Sequence, residues 1–145
     1  MTEDAVIKRA LKILAGRMRS GPALNSPSAV RDYLVLTLSE KPHEVFVVIF
    51  LDAQNRVLAA DEMFRGTLTQ TSVHPREIVK AALQHNAAAV IFAHPHPSGV
   101  AEPSRADELL TQTLRRALAL VDVKVLDHFV IAAGSALSFA ERGLI

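Results

Sequence analysis

The sequence predicts an α/β domain: a mixed β-sheet flanked by helices. Three observations carry that expectation. Two seven-residue apolar runs, Val45–Leu51 and Ala87–Ala93, are rich in β-branched and aromatic residues. Segments with helical spacing of apolar residues alternate with them. The chain has 145 residues, half of them hydrophobic and 21% charged, which suits a single folded domain with a real core and excludes a disordered chain.

Each element follows from local pattern. Ile7, Leu11, Leu14 and Met18 share one face of a helix over residues 4–18, and Ser20-Gly21-Pro22 breaks it. Ser26 and Pro27 resemble an N-cap and first helical position, so residues 27–38 form a second helix, with Pro42 ending the region. Val45–Leu51 reads as a strand buried on both faces. After the turn-forming Asp52-Ala53-Gln54-Asn55, residues 56–64 pair back as a hairpin partner. Residues 66–73 read as extended or irregular.

Pro75 starts a third helix, 75–85, with Ile78, Val79, Ala82 and Leu83 inward and Asn86 as a left-handed stop. Residues 88–93 form a second buried strand. A loop dense in proline leads to Ser104, which opens a long helix to about Leu120. Val121, Val123 and Val125 alternate with polar residues as a half-buried strand; residues 128–132 and 136–139 are short further strands. Residues 1–40 are expected as a helical lead-in packed on a domain of residues 41–145, one structural unit.

Composition excludes several classes of function. With no cysteine there is no disulfide scaffold, thiolate metal site or cysteine nucleophile. The acidic start, Met1-Thr2-Glu3-Asp4, has no apolar stretch of the signal-peptide kind, and neither apolar run can span a bilayer. A soluble, cytoplasmic protein is the expectation. The formal net charge is +1, unevenly spread: residues 1–19 carry +3 and the remainder −2. The basic first helix suits a phosphate backbone or an acidic partner, but equally a solvated helix face. Seven aromatics offer no base-stacking platform.

The chemistry concentrates between His94 and Asp107. His94 and His96 stand two apart at the end of an apolar strand, so their side chains project from one face. Pro95 and Pro97 push each preceding histidine toward extended backbone. Asp107, in the first turn of the following helix, is the natural third ligand. Two neutral imidazoles and one carboxylate leave a fourth position open on Zn²⁺, the catalytic rather than the closed structural pattern. The metal would lower the pKa of a coordinated water toward about 7. Ser104-x-x-Asp107 also reads as a plain N-cap followed by an acidic residue.

His94-x-His96, seven residues, Ser104, two residues and Asp107 together resemble the JAMM metalloprotease signature of the JAB/MPN domain. The wider context is similar to the RadC family. The matching segments are Asp52–Asn55, Phe64–Thr67, His74–Glu77, Asn86–Ala89, His96–Gly99, Pro103–Asp107 and Asp127-His128. The resemblance covers about residues 25–145 and is to the short form that lacks an N-terminal helix-hairpin-helix segment. It implies the JAB/MPN, cytidine-deaminase-like architecture. It also implies zinc held by His94, His96 and Asp107, with Ser104 hydrogen-bonding the oxyanion or the water.

The general base implied by the resemblance is a glutamate at the start of an earlier strand, here Glu44. From the residues alone, Glu40, Glu62, Glu77, Glu102 and Glu108 stand beside it, Glu62 foremost. The implied activity is hydrolysis of an amide, peptide or isopeptide bond in a peptide or protein-conjugate substrate. A nucleic-acid-interacting role in DNA repair, to which the RadC name is tied, is the alternative.

Two features depart from the pattern. Residue 95 is proline where the family usually has asparagine and JAMM proteases serine or threonine, which removes a backbone donor and a side-chain contact for substrate. The strand after Glu44 lacks the Gly-Leu pattern of eukaryotic JAMM deubiquitinases, which argues against a ubiquitin-type substrate. Asp127 and His128, adjacent on a strand, point to opposite faces and do not form a catalytic pair. His128 reads as a structural hydrogen-bonder or as a group behind the ligands. His43, His74 and His85 read as loop or helix-end residues, and Gly66 and Gly99 as turn residues.

Overall fold

The computed structural model describes residues 1–20, 27–39, 43–66 and 72–145. Expectations resting on Gly21, Pro22, Ser26, Glu40, Pro42 and residues 67–71 lie outside the described residues. The elements in chain order are α1 (Glu3–Ser20), α2 (Pro27–Leu38), β1 (Val45–Leu51), β2 (Val57–Arg65), α3 (Pro75–Gln84), β3 (Ala89–Pro95), α4 (Arg105–Ala119), β4 (Lys124–Ala132) and β5 (Ser135–Ser138). They form the α/β fold with a mixed sheet that the sequence predicts. Strand order is β2-β1-β3-β4-β5, with β3 and β4 parallel and the other neighbours antiparallel.

The two sheet faces carry separate cores, and strand alternation assigns residues to each. Val45, Val47, Ile49 and Leu51 of β1 meet Ala89, Ile91 and Ala93 of β3 under α2, which supplies Val30, Leu34 and Leu38 at helical spacing. Phe46, Val48 and Phe50 meet Val90 and Phe92 on the other face, under α3 and α4. β1 and β3 are thus buried at every residue, and apolar throughout except for His94, because both faces are covered. α1 lays its half-buried Ile7, Leu11 and Leu14 toward α2 and β2, while Lys8, Arg9, Lys12 and Arg17 are exposed.

Three local expectations need correction. Leu83 does not face inward but is 57% exposed; Ala81 occupies the buried position, because α3 presents Ile78, Ala81 and Ala82 to the sheet. Residues 121–125 and 128–132 are not two strands. Val121 and Asp122 turn out of α4, Asp122 at φ 59°, and one strand then runs from Lys124 to Ala132. Phe139 lies just past β5, fully buried.

That single strand carries an irregularity with consequences for the site. Val90 pairs with Val125, but Ile91 pairs with Asp127, so Leu126 is an extra residue on β4. A bulge of this kind shifts the alternation by one. Val125 packs toward α4, Leu126 toward α2, and after the bulge His128 rather than Asp127 faces α4.

Candidate metal centre

The end of β3 delivers His94 to the α4 face, two residues beyond Phe92 and in phase with it. His96 follows just past the strand, its backbone N–H donating to Ile131 O at 2.8 Å. Gly99, at φ 84°, closes the turn by donating to His96 O at 3.0 Å. The loop then reaches Ser104, which caps α4. Its Oγ accepts from Asp107 N at 3.0 Å, and Asp107 Oδ2 accepts from Ser104 N at 2.7 Å. This reciprocal capping box fixes the first turn of α4 and aims the Asp107 carboxylate at the histidines.

The three side chains converge. His96 Nε2 lies 3.0 Å from Asp107 Oδ2, and His94 Nε2 lies 3.2 Å from Asp107 Oδ1. One donor atom from each of His94, His96 and Asp107 falls within 4.8 Å of the others, a group able to hold a metal ion. His94 is 1% exposed, yet its Nε2 makes no aligned hydrogen bond. An unpaired polar atom so deeply buried is costly unless something binds it. A divalent cation between the three groups would satisfy it, and the N, N, O donor set suits zinc among other metals. The residues fit a metal.

The electrostatics agree with a site prepared for positive charge. Burial works to raise the Asp107 pKa, but the His96 imidazole hydrogen-bonded to it and the Ser104 N–H outweigh it. They hold the carboxyl well below the usual carboxylate range. The hydrogen bond to Asp107 raises the His96 pKa against its partial burial, helped by the Val100 carbonyl and the nearby charge of Glu44.

A cavity of about 350 Å³ opens over this group, lined by Glu44, His94, His96, Pro97, Ser98, Ser104 and Asp107. Glu44 reaches it because it precedes Val45 and shares a face with Phe46; its carbonyl accepts from Gly66 N at 2.8 Å. Gly66, at φ 128°, takes a backbone conformation unfavourable to other residues. Glu62 does not join the site. It pairs with Val47, whose side chain faces α2, and its carboxylate bonds Arg65 at 3.0 Å. Glu102 pairs with Arg142 at 2.9 Å. Of the other histidines, His74 is the N-cap position of α3, and His85 bonds Asp61 at 2.7 Å beside Phe50.

Behind the ligands lies a group only partly anticipated. His128, fully buried, places Nε2 2.8 Å from His94 Nδ1 and Nδ1 2.6 Å from Thr111 Oγ1. Burial pushes its pKa well below 6.5. Thr111 belongs to no sequence motif; its one signal is its place four residues after Asp107, on the same helix face. The carbonyl of Val100, which meets His96 Nδ1 at 2.9 Å, has no sequence signal at all. Asp127 does not face the site. Its carboxylate accepts from Ser138 Oγ and Ala140 N, fixing the segment that stacks Phe139 on the His128 ring at 4.5 Å.

The mixed five-stranded sheet flanked by helices is consistent with a JAB domain. Residues 24–144 match the family described as the RadC-like JAB domain, and the chain belongs to that family. It is 67% identical over 142 residues, 98% of its length, to a UPF0758 protein of Nitrosomonas eutropha, covering 63% of that protein. It is 66% identical over 141 residues to a UPF0758 protein of Methylibium petroleiphilum, covering 97% of this chain and 64% of that one. The chain thus spans a little under two thirds of the length of these relatives. No helix among the described residues is long and apolar enough to cross a membrane.

Proposed function

We propose that this chain is a JAMM-type hydrolase that uses zinc and water to cleave an amide, peptide or isopeptide bond. The observation that carries this reading is the convergence of His94, His96 and Asp107, with the buried His94 Nε2 unpaired, on a cavity that Glu44 also lines. His94, His96 and Asp107 would hold the zinc ion, which would supply Lewis acidity for the scissile carbonyl and for the attacking water. Glu44 takes a proton from the attacking water and returns it to the leaving nitrogen. Ser104 Oγ, which accepts from Asp107 N, keeps its own O–H to donate to the oxyanion. The capping box holds Asp107 so that the charge of the site does not move during the reaction.

The test is metal analysis of purified protein, followed by a chelator-controlled screen against peptides and isopeptide-linked conjugates. One zinc per chain and cleavage abolished by chelation are expected; absence of bound metal and of uptake on titration would overturn the reading. The exposed Lys8, Arg9, Lys12 and Arg17 of α1 favour a second reading, contact with nucleic acid. That reading requires DNA binding with a steep salt dependence.

A further inference from the structure

The hydrogen-bond chain behind His94 can be followed proton by proton. Thr111 Oγ1 lies 2.9 Å from the backbone carbonyl of Asp107, which only accepts, so the Thr111 hydroxyl proton points there. Thr111 Oγ1 then accepts from its other neighbour, and the proton between it and His128, 2.6 Å away, belongs to His128 Nδ1. A neutral imidazole carries one N–H, so His128 Nε2 is a bare acceptor. Its partner at 2.8 Å, His94 Nδ1, therefore carries the proton. That leaves His94 Nε2 as a lone pair on the edge facing Asp107 and His96. The absence of an aligned hydrogen bond at that atom, despite a carboxylate oxygen 3.2 Å away, agrees with this assignment.

The surroundings hold this chain still. His128 sits edge-on to Phe46 and Phe92, both 5.8 Å away, and is stacked on Phe139. Its position depends on the bulge at Leu126, without which β4 would turn Asp127 toward α4 instead. The chain also begins on Asp107, whose carboxylate faces His94 from the opposite side.

We propose that His128, oriented by Thr111, is a positioning residue that selects the Nδ1–H form of His94 and so presents its Nε2 lone pair to a divalent cation. This rests on the metal-site reading above, and the two are separable by experiment. Imidazole ¹⁵N spectra of the metal-free full chain, taken at a pH well above 6.5 where imidazoles are neutral, should show Nδ1–H on both His94 and His128. Nε2–H on either ring overturns the proposal, whatever the metal does.

Zinc titration against a competing chelator supplies the second measurement. His128→Leu removes the acceptor and should weaken zinc about 10–100-fold, the usual effect of losing a ligand's outer partner. His128→Gln, whose amide can accept from His94 and donate to Thr111, should restore most of that affinity. Thr111→Val leaves His128 in place and should weaken zinc less than His128→Leu; it also serves if His128→Leu does not fold. Equal losses in the Gln and Leu variants, or wild-type affinity in both His128→Leu and Thr111→Val, would overturn the proposal. Nδ1–H on both rings in a wild type that takes up no zinc supports the tautomer assignment and refutes the metal reading.

Discussion

Replacing Asp107 by asparagine separates its two roles, because the structure assigns them to different bonds. The capping bond needs only an acceptor at Oδ2, 2.7 Å from Ser104 N. An asparagine oxygen serves there, so the fold loses mainly the charge in the first turn of α4, about 0.3–1 kcal/mol. The metal role needs an anion between two neutral imidazoles, and asparagine offers none.

Zinc at about 100 times its dissociation constant stabilises the native state by roughly 2.7 kcal/mol. For a domain of this size, that corresponds to about 5–10 °C in melting temperature. Wild type should therefore melt about 5–10 °C higher with zinc than with chelator. Asp107→Asn should melt close to wild type in chelator and gain little from zinc. Ser104→Ala is the matched control: a lost N-cap costs about 1 kcal/mol, while the zinc-dependent shift persists. The assay is thermal unfolding of all three proteins with and without chelator. If Asp107→Asn keeps the full wild-type shift, Asp107 is a capping residue alone and the metal site is misassigned.

Glu44→Gln should keep zinc and the fold yet lose about two to four orders of magnitude in rate; an active variant would remove Glu44 from the mechanism. Zinc affinity should fall with acid sooner than an ordinary histidine predicts. The proton held on His96 by Asp107 competes with the metal below a pKa raised above 6.5, and an affinity flat from pH 8 to about 6 would contradict this. Random duplex DNA should bind no tighter than a Kd of about 10⁻⁶ M at physiological salt, and removal of residues 1–19 should weaken it. Tight binding that survives the truncation, measured by fluorescence anisotropy, would favour the nucleic-acid reading.

The parts of the molecule governed by local pattern were legible in the sequence. Val45–Leu51 could be recognised as doubly buried because no polar residue interrupts it, and Asn86 as a left-handed stop, which it is at φ 56°. The convergence of His94 and His96 followed from their spacing, and Asp107 from its place behind a cap. Long-range registration was not legible. Nothing in Val123-Lys124-Val125-Leu126-Asp127-His128 announces that a bulge at Leu126 turns His128 toward α4. Glu44 and Glu62 looked alike as strand-flanking carboxylates. Only the β1–β2 pairing, itself interrupted by a register shift between Phe46 and Val47, puts them on opposite faces. Helical spacing alone puts Leu83 inward, yet α3 rests on the sheet along the narrower stripe of Ile78, Ala81 and Ala82.

The proline between the two histidines can be understood from the same registration. Pro95 is buried and in phase with Ile91 and Ala93, so its ring faces α2, away from the cavity. It pairs with Ile131 in the parallel ladder, where the bond to Ile131 O comes from His96 N. In that geometry the nitrogen of the paired residue itself points the other way, toward β1. The β1–β3 pairing ends at Val47 and Ala93, short of Pro95. The donor that proline lacks is therefore one that neither ladder uses, and proline is tolerated where a central strand otherwise excludes it. The ring supplies apolar packing on one face while its restriction of His94 to extended backbone serves the other. Pro95 leaves the β1 side of this position without a backbone donor.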